Sequence, residues 1–383
     1  MTKSGPVANS QPDGHKKVAI WRTIWLPGSE TFIRNQIAAL SCWRASPVGL
    51  ARQASSLADP GDTIVYGTNL YERLLKKAFR RTKRSRRIER LLRRNNFSLI
   101  HAHFAPDAIA VLPSARRMGL PLIVTLHGFD VTALPLAEGR DGVRFRADLR
   151  ELFGYAKTII AVSHFIAARA IELGASPLKV EVLHVGVPPV AVTAAAVPIW
   201  DVLFVGRLVA KKGVPDLLRA VSLLPPSEAV VRVGIVGDGE LRLELESIAA
   251  ELGVEAVFLG TQTPAQVREH LAASRIFAAP SQTAASGDAE GFGMVFLEAS
   301  LAGIPIVSYD HGGVSEAVAH GVSGLLSPEG DVKQLSDNMR LLLVDRDLAL
   351  KMGTAGRDRA LRDFNIDRLT QRLEAIYDRD SSL

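Results

Sequence analysis

Short, largely apolar runs recur along this chain, and stretches with helical spacing separate them. In the first half they are KVAIW (17–21), TIVYG (63–67), SLIHAH (98–103), LIVTL (122–126), TIIAVS (158–163) and VEVLH (180–184). In the second half they are DVLFVG (201–206), VRVGIVG (231–237), AVFLG (256–260), RIFAAP (275–280) and IPIVS (304–308). A strand that is apolar along its whole length is buried on both faces, as happens when parallel strands are covered by helices on either side. The alternation predicts βαβ units and an α/β fold of two doubly wound, Rossmann-like sheets. At 383 residues the chain is long for one core, which also favours two domains.

The segment VPPVAVTAAAVP (187–198) is rich in Pro and Ala and carries no charge, so it reads as the linker. The expected organisation is a first domain over 17–192 and a second over 199–365. A closing helix over 366–383 follows, from the helical spacing of Ile366, Leu369, Leu373, Ile376 and Tyr377. The polar stretch 1–16 reads as a disordered tail without a signal-peptide core. No apolar run is long enough to span a bilayer. Cys42 is the single cysteine, which excludes an internal disulfide and a cysteine metal cluster. These features together predict a cytoplasmic protein.

Doubly wound sheets bind ligands beyond the carboxyl ends of their strands. DVLFVG leads directly into RLVAKKG, which puts Gly206, Arg207 and Lys212 in the loop after the second domain's first strand. The two cations suit a diphosphate, or are solvated surface charges. VGDGEL (236–241) follows the next strand, and Gly237 and Gly239 either permit close ligand approach or form an ordinary strand-to-helix turn. AEGFGMVFLEASLAG (289–303) places Gly291, Phe292, Gly293 and Met294 at the opening of a helix. The free N–H groups and positive dipole end of such a helix suit an anion. Glu298 falls about one turn into it among apolar neighbours, where it suits a vicinal diol such as a ribose. Glu290 lies in the preceding loop, either against a sugar or as a solvent-facing acid favoured by the helix N-terminus. In the first domain, Gly28 lies in the first loop, before a helix expected near Ser29. It offers either close approach or a simple turn.

Charge is concentrated. Residues 76–94, KKAFRRTKRSRRIERLLRR, hold eleven Lys or Arg and one acid, although the whole chain is only +6. Leu74, Leu75, Ala78, Phe79, Ile88, Leu91 and Leu92 fall at helical spacing between them, which predicts one or two amphipathic helices broken near 82–85. Their cationic face, including Lys76, Lys77, Arg80, Arg81, Lys83, Arg84, Arg86 and Arg87, suits an anionic membrane surface. The competing reading is a solvated helix whose apolar stripe packs on the domain.

GRLVAKKG, VGDGEL, FLG, PSQTAASGDAEGFGMVFLEASLAGIPIV and HGGVSEAVAHGVSGLL resemble, in order and spacing, the group 1 retaining glycosyltransferases of the GT-B fold (glycosyltransferase family 4). The family's E-x7-E pair corresponds here to Glu290 and Glu298. LPGSETFIRNQIAAL (26–40), IHAHFAPDA (100–108), VTLHGFDVT (124–132) and AVSHFIA (161–167) are similar, more thinly, to members that build bacterial exopolysaccharide and capsule units. The resemblance implies two Rossmann-like domains facing across a cleft and a nucleoside-diphosphate sugar donor, UDP- or GDP-linked. Arg207, Lys212 and the backbone near Phe292 to Met294 would meet the diphosphate, Glu298 the ribose, and Glu290 the sugar. It also implies a role for His127 at the transferred sugar or leaving phosphate, with a structural strand-end histidine as the alternative. His103 is placed similarly, with less to support it. The acceptor would be a polyprenyl-diphosphate-linked glycan, bringing the enzyme to the inner face of the plasma membrane. The implied product keeps the donor's anomeric configuration.

The DRD sequences at 345–347 and 378–380 read as surface charge in helices rather than a metal-binding Asp-x-Asp loop, and no cofactor is expected. A phosphorylase or sugar-nucleotide epimerase would use the same architecture. A nucleic-acid-binding protein acting through residues 76–94 is the alternative from another class, set aside because it leaves the second domain without a role.

Overall fold

The computed structural model describes residues 16–28, 30–55, 57–189, 197–225 and 231–382. All of the expected tail over 1–16 but Lys16, and most of the proposed linker, therefore lie outside the described residues.

The first sheet contains β1 (Lys17–Trp25), β2 (Arg44–Arg52), β3 (Thr63–Ile64), β4 (Leu99–His103), β5 (Leu122–Leu126), β6 (Thr158–Ala161) and β7 (Val180–Val182). Their order is β3-β2-β1-β4-β5-β6-β7, and every pairing is parallel. The second sheet contains β8 (Trp200–Val205), β9 (Val233–Val236), β10 (Ala256–Gly260), β11 (Ser274–Ala278), β12 (Ile306–Asp310) and β13 (Gly324–Pro328). Their order is β10-β9-β8-β11-β12-β13, again all parallel. In each sheet the winding reverses beside the first strand, between β1 and β4 and between β8 and β11. The loops leaving those strands open a crevice.

Burial follows the apolar runs. All five residues of β4 and of β5 are buried, including the histidines of β4. Alternation along β1 divides the first domain's core. Ala19 and Trp21 pack with Ile100, Val124 and Ile159 on one face. Val18 and Ile20 pack on the other with Leu99, Ile123, Ile160 and Ile33.

The C-terminal helix, Ile366–Ser381, packs on this second face, where Leu369, Leu373, Ile376 and Tyr377 join the first domain's core. The chain thus ends on the domain where it began. Tyr377 is hydrogen-bonded through its hydroxyl to His101 Nδ1 at 2.5 Å. Glu374 accepts the backbone N–H groups of Ser41, Cys42 and Trp43. The crossing is fixed by Val187, which donates to Phe364 O at 2.8 Å and accepts from Ile366 N at 3.1 Å.

This packing corrects the reading of the second DRD. Asp380 is buried and accepts from Thr158 Oγ1 at 2.7 Å, because its helix lies against β6 rather than in solvent. Asp345 caps the following helix by accepting from Leu348 N at 2.9 Å.

Candidate active site

The winding reversal of each sheet places the candidate residues. The loop after β8 carries Gly206, Arg207 and Lys212, and the loop after β11 carries Glu290 to Gly293. A cleft of about 970 Å³ lies between them and the first domain's opening loop. It is lined by Gly28, Thr31 and Phe32 from the first domain. From the second come Gly206, Arg207, Lys212, Gly237, Glu290, Gly293, Met294 and Glu298, together with Lys211 and Arg268.

Glu290 is buried and forms an ion pair with Lys212, so it is not the solvent-facing acid of the alternative reading. Burial raises its carboxyl, but the charges of Lys212 and Lys211 outweigh that effect and hold it below the usual glutamate range. Lys211 is itself buried, 3.0 Å from Asp288. The Glu290 backbone N–H donates to His311 Nε2 at 3.3 Å, and His311 Nδ1 lies 2.7 Å from Glu329. Lys211, Asp288, His311 and Glu329 were not singled out from the sequence. The first lysine of AKK and the histidine of HGGVSE were the available signals. Arg207 is exposed at the cleft.

Gly293 begins the Met294–Leu301 helix at φ +87°, a conformation that side-chain-bearing residues seldom adopt. The first N–H groups of this helix have no intrahelical partner and lie at the cleft. Glu298, one turn along, is half-buried. Burial pushes its carboxyl up to about 7, against the opposing pull of Arg268.

Phe292 and Gly239 do not line the cleft. Phe292 is buried against His184 and Phe364, with ring centroids 5.2 and 5.4 Å away, so it offers only its backbone to the cleft loop. Gly239 packs on Leu208, whose carbonyl oxygen a Cβ would approach to 2.4 Å.

Gly291 is one of the places where the domains touch. Its carbonyl accepts from Ser163 Oγ at 2.6 Å, and a Cβ on it would lie 2.1 Å from the His127 carbonyl oxygen. Gly291→Ala should therefore hold the domains apart and lower turnover about a hundredfold, since ångström misplacement of catalytic groups has that scale. Wild-type kinetics in this variant would show that the contact is dispensable.

His127 directly follows β5 but does not line the cleft. Its ring lies between Phe32 and Phe104, at 4.8 and 4.3 Å, with Nε2 3.1 Å from His103 Nδ1. Burial first, then the nearby Arg22 charge, depresses its basicity and keeps the ring neutral. His103 is buried and also neutral, and its Nε2 has no hydrogen-bond partner among the described residues. Behind them lies another group that escaped the sequence reading. Buried Arg22 pairs with both Glu30 and Asp107 and stacks over Phe104 at 4.3 Å.

The basic segment forms two helices, Leu70–Thr82 and Arg86–Asn95, broken at Lys83, which has φ +52°. Phe79, Ile88 and Leu92 enter the domain core. Lys83 pairs with Asp148 and Arg87 with Glu72. That part of the expected membrane stripe is thus occupied within the protein. Leu70, Tyr71 and Leu74 are instead 73, 68 and 58 % exposed. Lys77, Arg80, Arg81, Arg84 and Arg86 are exposed, and Lys76 is half-buried. Among the described residues no helix is long and apolar enough to cross a membrane.

Two parallel α/β domains facing across a cleft define the GT-B architecture. HepE of Anabaena, solved with UDP-glucose, superposes with a TM-score of 0.75 at 22 % identity, covering 95 % of this chain and 100 % of its own. The model for glycosyl transferases group 1 matches residues 190–359, and that for glycosyltransferase family 4 matches 28–190. A Mycolicibacterium smegmatis mannosyltransferase is 31 % identical, covering 72 % of this chain and 75 % of its own. The amylovoran biosynthesis glycosyltransferase AmsK of Erwinia amylovora is 26 % identical over 73 % of this chain and 69 % of its own. The chain belongs to the group 1 glycosyltransferases.

Proposed function

We propose that this protein is a retaining hexosyltransferase that moves a sugar from a nucleoside-diphosphate sugar to a hydroxyl of a lipid-linked glycan at the inner face of the plasma membrane. The observation that carries the reading is the pairing of Lys212 with Glu290 in a cleft that Arg207 and Glu298 also line. An anion with a polyol at each end suits this order of groups. Arg207, Lys212 and the Met294 end of its helix offset the charge of the departing diphosphate. Glu298 accepts from the ribose, and Glu290 from the sugar hydroxyls. Lysine and arginine supply the countercharge in this mechanism, so it calls for no metal. The neutral His127 sits behind Phe32 as a polar support for the sugar end of the site.

The relatives support the chemistry. The M. smegmatis protein is named a GDP-mannose-dependent phosphatidylinositol monomannoside mannosyltransferase, and AmsK a protein of amylovoran biosynthesis. Thermal-shift titration with UDP, GDP and ADP tests the donor class. The matching nucleotide at 100 times its dissociation constant should stabilise the protein by about 2.7 kcal/mol. If none of the three raises the melting temperature, the donor reading fails.

Membrane contact by the Leu70–Thr82 helix is supported by its exposed Leu70, Tyr71 and Leu74 beside Lys77 and Arg81. Cations near an anionic leaflet contribute about 1 kcal/mol each. Binding to phosphatidylglycerol vesicles should therefore exceed binding to neutral ones and fall with salt. Serine at Arg80, Arg81, Arg84 and Arg86 should abolish sedimentation with the anionic vesicles. Unchanged sedimentation would remove the patch from the docking surface.

A further inference from the structure

Glu316 stands on the short Val314–Ala317 helix of the second domain, yet its carboxylate is received by the first. Its Oε2 accepts the His164 backbone N–H at 2.9 Å and lies 2.8 Å from His164 Nδ1 and 3.0 Å from His184 Nε2. Its Oε1 accepts the Phe165 N–H at 3.2 Å. His164 opens the helix after β6, and His184 follows β7. Three side chains from three segments and two domains therefore direct two imidazole nitrogens and a carboxylate at one point, with all ligand atoms within 4.8 Å of one another.

We propose that His164, His184 and Glu316 form a binding site for a divalent transition metal of the zinc type, which clasps the two domains together. Two imidazoles and one carboxylate are a donor set that zinc accepts, with water completing a tetrahedron. The nitrogens that now face the carboxylate would present lone pairs, with the ring protons moved to the other nitrogens. His184 is held in orientation by Phe292 and, edge-on, by Phe364. The His164 side chain is 77 % exposed, which leaves an entry path and room for the water ligand.

The consequence follows from where the ligands come from. A metal held by both domains binds only when they are together, so it shifts the population toward the closed cleft. The Gly313 N–H donates to Glu290 O at 3.0 Å, which ties the helix of Glu316 to the donor loop. Donor entry and nucleotide exit require the cleft to open, so the bound metal acts as an inhibitor set apart from the chemistry. The metal site itself needs no assumption about the donor; only its inhibitory effect rests on the proposed function, and the test reads binding rather than turnover.

The experiment is calorimetric titration of the EDTA-stripped full chain with ZnCl₂, followed by scattering measurements. One zinc should bind per chain, raise the melting temperature and reduce the radius of gyration, with all three effects reversed by EDTA. His164→Ala and His184→Ala should each weaken binding at least about a hundredfold and leave the radius unchanged by zinc. His164→Cys should retain binding, because thiolate also suits zinc. Because His164 is exposed, its variants test the site without a folding defect. The proposal is overturned if the wild type shows no binding below about 100 μM. It is equally overturned if His164→Ala binds zinc as wild type does, or if zinc binds without reducing the radius.

Discussion

Lys212→Ala should lower kcat/KM for the donor by about 10²–10³-fold, the scale seen when one preorganised group is lost from a developing charge. Lys212 lies at the carboxyl end of β8, where the parallel sheet delivers it to the cleft, and in the free protein it neutralises Glu290. Its removal has two effects that can be separated. The diphosphate loses a cation, and Glu290 keeps a buried carboxylate that has lost its ion-pair partner, with Lys211 and His311 still near it. Breaking a buried pair from one side costs about 3–5 kcal/mol, so the melting temperature should also fall. Adding Glu290→Gln removes the stranded charge and should restore stability without restoring turnover. Arg207→Ala provides the contrast. Its side chain is exposed at the cleft, so turnover should fall with little change in melting temperature. Near wild-type turnover in both single variants at subsaturating donor would refute the placement of the diphosphate.

What the sequence disclosed and what it hid divide along physical lines. Both sheets were legible because parallel strands buried on two faces write their burial into consecutive residues, as LIVTL does for β5. β2 was missed because RASPVGLAR has polar ends and Pro47 within it. β3 pairs only with its Val48 and Gly49, which leaves Pro47 where β2 has a neighbour on one side alone. β13 was missed for its short GLLSP run at the sheet edge. The C-terminal helix was legible as a helix, but its partner was not, since periodicity carries no information about which distant face it covers. Asp380 is the example: in sequence it resembles surface charge, and only docking against Thr158 buries it. The E-x7-E spacing exposed Glu290 and Glu298, whereas Lys211, His311 and the Arg22 cluster depend on contacts between residues far apart in the chain. In residues 76–94 the spacing correctly indicated amphipathic helices, but not which apolar residues the core would claim. Phe79, Ile88 and Leu92 went inward, and Leu70 and Tyr71, just upstream, remained outside.

Donor affinity should rise with pH between 6 and 8, and Glu298 should be the cause. Burial pushes its carboxyl to about 7 in the free protein. A protonated carboxyl offers one acceptor fewer to a ribose diol and places its own proton in the way. Donor binding therefore selects the ionised form. With a pKa near 7 the ionised fraction rises about tenfold from pH 6 to pH 8, so the dissociation constant should tighten by about that factor. The same group has the opposite effect on folding. Its folded pKa lies above the unfolded glutamate value of 4.5, so the folded state holds the extra proton. Its contribution to stability is complete below the unfolded pKa and is lost as pH rises through the folded one. A donor that binds better where this residue makes the fold less stable cannot be explained by general loosening of the protein. Glu298→Gln makes the assignment specific. An amide resembles the protonated acid, so the variant should match wild type near pH 6, bind about tenfold more weakly at pH 8, and show a flat profile between. Nucleotide titrations at pH 6, 7 and 8 on both proteins measure this directly, and a variant that retained the wild-type slope would remove Glu298 from the ribose.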